Sequence, residues 1–284
     1  MVIVLAVGAA IGWGAADFFG GASRRRTSVL VIVAVSELVG LVVLVPVLIA
    51  RGIPLPHNPR LLLACVAGVG VTVELSLIYV ALSRGEGFIT APVGALGAAI
   101  AVTVGLIGGD PLSPLIAAGL LCALIGGGIS AWASGSRSGT RSGLRSAAIC
   151  AGAAAGLAAM LISFHAAGKV DPYWATAIEH ASTAISASVI ALAISRKALR
   201  QQLPARGQLR GLAFVAVAGV GGDLAYAAAS RNGALSIVSA VSSLYPVTTV
   251  ALGMMIQHQR ANRIQTAGIL LALAGATALG AATH

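Results

Sequence analysis

The chain has 284 residues, of which 58% are hydrophobic and only 9% are charged. Its mean hydropathy of +0.96 excludes an ordinary soluble domain, in which roughly a quarter of the residues are charged. The formal net charge of +10 would suit a nucleic-acid-binding protein, but the basic residues are scattered through short connections between apolar runs. That distribution favours contact with anionic lipid headgroups, and we expect no nucleic-acid partner.

Apolar runs of the length that a helix needs to cross a bilayer recur along the whole chain. They predict an all-α polytopic membrane protein in which the lipid bilayer is the main partner. The predicted spans cover about 2–20, 28–49, 61–83, 87–107, 113–133, 147–167, 173–194, 209–229, 234–256 and 263–281.

Two sequence echoes predict that the ten spans form two repeats. The run Tyr79–Gly85 at the end of the third span is echoed by Tyr226–Asn232 at the end of the eighth, and Gly8–Gly12 in the first by Gly152–Gly156 in the sixth. We therefore predict a first five-helix repeat over 1–135, a linker over 136–146 and a second repeat over 147–284. Because five spans is an odd number, the two repeats must be inverted in the membrane.

The small residues and prolines within the spans predict how the helices pack and bend. Small residues four positions apart, as in the glycine pairs of the first and sixth spans, allow close helix packing in lipid. Pro92 and Pro246 fall inside the fourth and ninth spans. A proline within a membrane helix removes a backbone hydrogen bond, so we predict that both spans are bent.

The Lys and Arg residues are distributed unequally between the two sides of the membrane. Connections after odd-numbered spans hold fourteen of them and connections after even-numbered spans hold four. The positive-inside rule then places the fourteen in the cytoplasm and both termini outside.

Five of the eight acidic residues fall within predicted spans, whereas all Lys and Arg residues lie at span ends or between spans. An ionised, unpaired carboxylate at membrane depth costs several kcal/mol. The four that we predict to bind a proton or a cationic substrate are Glu37, Glu74, Glu179 and Asp223, the third of which forms a polar pair with His180. Asp17 is close enough to Arg24 for an interfacial ion pair. Protonated hydrogen bonding to a neighbouring helix is the structural alternative for each.

Aromatic residues that could line a substrate cavity are Trp13, Tyr79, Tyr226 and Tyr245, for which packing is the alternative role. Asp223 lies one turn before Tyr226, so these two should share a helix face. The three cysteines show no metal-ligand or disulfide spacing, and the chain has no His-Glu-x-x-His motif and no phosphate-binding loop. We therefore expect no cofactor, no bound metal and no catalytic site.

Three motifs give the chain a family resemblance. They are the run Gly12–Phe18 in the first span, the run Leu244–Val247 in the ninth, and the run Gln265–Gly275 in the last. With them the chain resembles the EamA-type (RhaT-like) transporters of the drug/metabolite transporter superfamily. The resemblance implies two five-helix units around a central cavity, with both termini in the cytoplasm, the reverse of the charge count. The chain has Gln257 where many members carry an acid after the ninth span, while Asp110 occupies the comparable place in the first half.

Together these features predict a secondary transporter that moves a small organic solute by alternating access between the two halves. Export of a metabolite, an amino acid or a drug-like compound from a bacterial cell through the plasma membrane is what the resemblance implies. Coupling to protons would use the intramembrane carboxylates. The alternatives are a non-transporting membrane partner or assembly protein, and an enzyme acting within the membrane on lipid-linked substrates. The sequence does not fix the solute or the oligomeric state.

Overall fold

A computed structural model describes residues 1–23, 29–52, 54–83, 90–135, 144–194, 209–258 and 263–282. These residues are almost entirely helical. The helices are α1 (Val2–Ser23), α2 (Val29–Arg51), α3 (Leu63–Ser83), α4 (Thr90–Ile107), α5 (Pro114–Gly135), α6 (Leu144–Gly168), α7 (Pro172–Ile194), α8 (Leu209–Ser230), α9 (Leu235–Ser242), α10 (Tyr245–Ile256) and α11 (Arg263–Ala282). A short 3-10 turn over Pro59–Leu62 leads into α3.

The helices confirm the ten predicted spans. Within the described part of the chain, seven helical stretches are long and apolar enough to cross a membrane, and three shorter apolar helices supply the rest. The ninth span is the one made of two helices, α9 followed by α10. The lipid-facing surface explains why apolar runs predict the fold so well, since side chains such as Leu38, Val42 and Ile49 of α2 are largely exposed on the outside of the bundle.

Contacts between the halves follow a two-fold pattern. Helix α1 packs along α8, and α3 packs along α6. The two contacts are equivalent, because each joins the first span of one repeat to the third span of the other. The second spans of each half, α2 and α7, pack on each other, as do the fifth spans, α5 and α11. The fourth span, α4, contacts the α9 part of the ninth. This arrangement is what two inverted five-helix repeats produce.

Glycines bring the paired helices into backbone contact, as the sequence predicts. A Cβ atom on Gly12 of α1 would lie 2.7 Å from the Cα atom of Gly222 on α8. In the equivalent interface, a Cβ on Gly156 of α6 would lie 2.8 Å from the carbonyl oxygen of Gly70 on α3. No side chain fits at these distances, so the interfaces require glycine and the prediction of close packing is confirmed.

The predicted irregularity of the ninth span takes the form of a break. Helix α9 ends at Ser242 and α10 begins at Tyr245, with Pro246 in the first turn of α10. At this position the missing N–H of proline has no helical partner to lose. The structure describes α4 from Thr90 onward, so Pro92 lies in its first described turn, and a bend there stays a prediction. A further proline, Pro46, lies inside α2.

Candidate functional site

A cluster of polar side chains lies where four helices from both halves meet. Trp13 comes from α1, Glu37 from α2, His180 from α7 and Asp223 from α8. Two of these helices belong to the first repeat and two to the second. We call these four residues, together with Glu179, the carboxylate–histidine cluster.

His180 connects the two carboxylates across the interface between the halves. Its Nδ1 atom contacts Oε2 of Glu37, and its Nε2 atom lies 3.2 Å from Oδ2 of Asp223. The imidazole is only 2% exposed. The buried imidazole therefore links a carboxylate of the first half to a carboxylate of the second.

Trp13 fixes the orientation of the Asp223 carboxylate. The indole Nε1 donates a 2.8 Å hydrogen bond to Oδ1 of Asp223. The opposite oxygen of that carboxylate is the one that faces His180. Gly222 makes this possible, because a Cβ there would lie 2.7 Å from Cδ1 of the indole ring. The pair therefore ties α1 to α8 at the depth of the cluster.

A small residue also makes room for the imidazole. Gly40 lies one turn after Glu37 on α2, and a Cβ at that position would lie 3.1 Å from the His180 ring. The sequence from Glu37 to Gly40 thus supplies a carboxylate and, on nearly the same helix face, a space beside it.

Glu179 adds a third carboxylate, which is buried to 3% exposure. Its Oε1 atom accepts a 2.7 Å hydrogen bond from the Thr183 hydroxyl one turn later on α7. Its other oxygen, Oε2, has no hydrogen-bond partner. One ligand atom from each of Glu37, Glu179 and His180 lies within 4.8 Å of the others.

Tyr226 lies beside the cluster and packs in the core. Its hydroxyl donates to the carbonyl oxygen of Leu161 at 2.7 Å and lies 3.1 Å from the Ser239 hydroxyl. Its ring stacks on Phe164 and lies 5.4 Å from the Trp13 ring, centroid to centroid. Asp223 and Tyr226 thus share a face of α8, as the spacing predicts, and both meet the same tryptophan.

Glu74 belongs to a second group rather than to the cluster. It is buried on α3, where it lies within electrostatic range of Asp17 on α1. Tyr245, at the start of α10, lies within range of both carboxylates. The hydroxyl of Tyr245 also lies close to α4, because a Cβ atom on Gly94 would be 3.1 Å from it. A small cavity between α4, α5, α9 and α10 lies near this tyrosine, lined by residues such as Ala98, Gly127 and Pro246.

The structure therefore brings together Trp13, Glu37, Glu179 and Asp223 and separates Glu74 and Tyr245 from them. The side chains of Tyr79 and Pro92 lie outside the described residues, and so does Arg24, which the sequence predicts as an ion-pair partner of Asp17. His180 was not predicted as the group that connects the carboxylates, because only Lys and Arg were considered as possible cations within the spans. The available signal was the adjacency of Glu179 and His180.

A scan against family models decides what kind of protein carries this site. The model described as "EamA-like transporter family" matches residues 1–131 and again 145–280. The chain belongs to the EamA-like transporter family. The two matches coincide with the two five-helix halves, and the family is one of transporters within the drug/metabolite transporter superfamily.

A comparison with solved structures supports the same fold. One chain, whose title reads only "Crystal structure of protein", is 16% identical to this EamA-like chain and superposes with a TM-score of 0.79. The alignment covers 98% of this chain and 95% of the other. At this identity the likeness shows the fold alone. No curated protein sequence matches.

Proposed function

We propose that this EamA-like protein is a secondary active transporter that exports a small organic solute by alternating access between its two halves. It is an integral, multi-pass membrane protein by family and by hydropathy, and we place it in a bacterial plasma membrane. The two repeats are 1–135 and 147–284, joined by the segment 136–146. Catalysis has no part in the proposal.

The single observation that carries the proposal is the carboxylate–histidine cluster. Intramembrane carboxylates are costly and usually mark a substrate or ion pathway. Here they come from α2, α7 and α8, so both halves contribute to one buried site. A relative movement of the halves would change the distances at that site, which is how a transporter couples binding to opening.

The cluster would hold the positive charge that moves with the solute. The cluster holds the buried carboxyl groups of Glu179 and Asp223, the partly buried one of Glu37 and a single histidine. Their negative charge would be offset by a proton or by a cationic group of the solute. Trp13 supplies a flat apolar surface next to the Asp223 carboxylate, suited to pack against the solute. Tyr79, Tyr226, Tyr245 and Glu74 remain candidates for lining the path on either side of it.

Polar contacts between the halves close the end of the bundle formed by the connections after even-numbered spans. Arg51 at the end of α2 donates a hydrogen bond to the hydroxyl of Tyr173 at the start of α7 and lies over its ring. Asp110, after α4, accepts a 2.7 Å hydrogen bond from the backbone N–H of Ser236 in α9. Because both contacts join the two halves, they would have to break if the protein opens at this end.

The test is untargeted profiling of small molecules in medium and cytoplasm. Cells making the intact protein are compared with cells making a Glu37→Gln/Asp223→Asn variant at equal membrane abundance. The matched control is Asp171→Asn, which removes an acid that caps α7 outside the cluster. We expect a compound enriched in the medium with the intact protein and the control but not with the double variant. Equal export by the double variant would remove the cluster from the mechanism.

A further inference from the structure

Three side chains of the cluster have the composition of a metal-binding site. Glu37 on α2, and Glu179 and His180 on α7, each offer a ligand atom, and these atoms lie within 4.8 Å of one another. Two carboxylates and one imidazole, with no thiolate, form a donor set that divalent first-row transition metals accept. The sequence predicted no metal because the ligands come from two helices of different halves.

One buried oxygen of the cluster points to a ligand. Oε2 of Glu179 is buried and has no hydrogen-bond partner, whereas the two ring nitrogens of His180 have the carboxylates of Glu37 and Asp223 as neighbours. Nearly all buried polar side-chain atoms in proteins have a hydrogen-bond partner, so the free oxygen of Glu179 beside His180 and Glu37 needs an explanation. Glu179 and His180 are each at least nine-tenths buried, which denies them water from bulk solvent.

The surroundings of His180 identify which nitrogen is available. Asp223 lies 3.2 Å from Nε2, and its other oxygen is occupied by the Trp13 indole. A carboxylate beside Nε2 favours the proton on that nitrogen and leaves the lone pair on Nδ1, which faces Glu37. Metal-bound histidines in proteins show this same relation, in which the other ring nitrogen faces a carboxylate.

We propose that Glu37, Glu179 and His180 bind a divalent first-row transition metal ion, with Asp223 and Trp13 as positioning residues for the imidazole. The inference rests on the proposed function, because it names the cation held by the same cluster. A single proton between His180 and Glu37 would satisfy that pair but would leave the free oxygen of Glu179 without a partner. A metal ion would satisfy all three ligands and could in addition be held by a solute that chelates metal.

The experiment titrates the purified full-length protein, stripped of metal by a chelator, with Zn²⁺ by calorimetry and with Co²⁺ by visible absorption. We expect one Zn²⁺ per chain and a Co²⁺ spectrum with nitrogen and oxygen ligands. We expect weaker Zn²⁺ binding in each of the three ligand variants, Glu37→Gln, Glu179→Gln and His180→Ala. The loss should be at least about 10-fold to 100-fold, which is the effect of changing a residue that only supports a metal ligand. Asp223→Asn should weaken it within that range and alter the Co²⁺ spectrum.

The controls separate this site from surface binding and from misfolding. His165→Ala removes a buried histidine outside the cluster and Asp171→Asn removes an acid at a helix end, and both should bind Zn²⁺ as the intact protein does. The melting temperature of each variant without metal is compared with that of the intact protein. Glu179→Gln should disturb the fold least, because its amide oxygen can still accept the hydrogen bond from the Thr183 hydroxyl. Zn²⁺ binding that is absent at millimolar concentration, or unchanged in all three ligand variants, would overturn the proposal.

The readout also separates this inference from the transport proposal. Zn²⁺ binding is measured without any solute gradient, and export is measured by profiling. Export that depends on Glu37 in a protein that binds no metal would refute the metal site and leave the transporter standing. Metal binding in a protein that moves no solute would support the metal site and refute the transport proposal.

Discussion

The close contact between α1 and α8 gives a quantitative prediction from two glycines on the same helix. A Cβ on Gly12 would lie 2.7 Å from the carbonyl oxygen of Ala218 and from the backbone of Gly222, about 0.7 Å inside ordinary van der Waals contact. A Cβ on Gly8, one turn earlier, would lie 3.6 Å from the Cβ of Ala225, which is ordinary contact. The obstacles at Gly12 are backbone atoms, so the helices themselves must separate.

The expected magnitudes follow from this difference. Overpacking of this kind lowers the free energy of unfolding by about 1–3 kcal/mol. Gly8→Ala meets no obstacle and removes a flexible residue from a helix, so it should leave stability unchanged or raise it by up to about 1 kcal/mol. In the equivalent α3–α6 interface, a Cβ atom on Gly156 or on Gly70 would also meet backbone atoms. Each of the two alanine substitutions should therefore lower the free energy of unfolding as much as Gly12→Ala does.

The measurement is equilibrium unfolding of the purified variants in mixed micelles, followed by tryptophan fluorescence or by retention of the folded form on electrophoresis. Gly8→Ala serves as the control for the substitution itself, because it makes the same chemical change on the same helix. A Gly12→Ala variant as stable as Gly8→Ala would refute the close approach of α1 and α8, and with it the position of Trp13 beside Asp223.

The remaining predictions concern polar contacts and topology. Tyr226→Phe leaves the Leu161 carbonyl and the Ser239 hydroxyl without their buried partner, and should lower the free energy of unfolding by about 1–3 kcal/mol; an unchanged value in the same micelle assay would place the hydroxyl elsewhere. Asp110→Ala should lower stability by about 0.5–2 kcal/mol through loss of the bond to the Ser236 N–H, while Asp110→Asn should recover much of it, and equal losses would indicate that charge rather than the bond matters. A reporter active only in the cytoplasm, fused after the last helix, should be inactive, and activity there would reverse the orientation given by the Lys and Arg count.

The spans could be predicted from sequence because lipid imposes a simple rule on each of them. A helix must be apolar for about 20 residues to cross the bilayer, so the boundaries of helices such as α3 and α8 agree with the predicted ones within a few residues. The glycines at the helix contacts could also be predicted, because they depend on local residues. Pro246 predicted an irregular ninth span, but as a bend rather than as the break between α9 and α10.

The composition of the site could be predicted only in part. Acidic residues within the spans can be recognised directly in the sequence. Which of them lie close together depends on the rotation of each helix about its axis, and the sequence of a uniformly apolar helix gives little indication of that rotation. This is why Glu74 could not be separated from Glu37 by sequence, although it lies in another group with Asp17. The position of His180 between Glu37 and Asp223 depends on three helices at once, and no local pattern encodes it.

Solute flux into vesicles that contain only this protein tests the central claim, that both halves share one buried site for the transported charge and solute. The labelled compound identified by profiling is supplied outside, and its accumulation against its own gradient is followed when a cation gradient is imposed. We expect accumulation with the intact protein and with Asp171→Asn, and none with Glu37→Gln/Asp223→Asn. Accumulation by the double variant at the intact rate, or no flux above protein-free vesicles with the intact protein, would contradict the account.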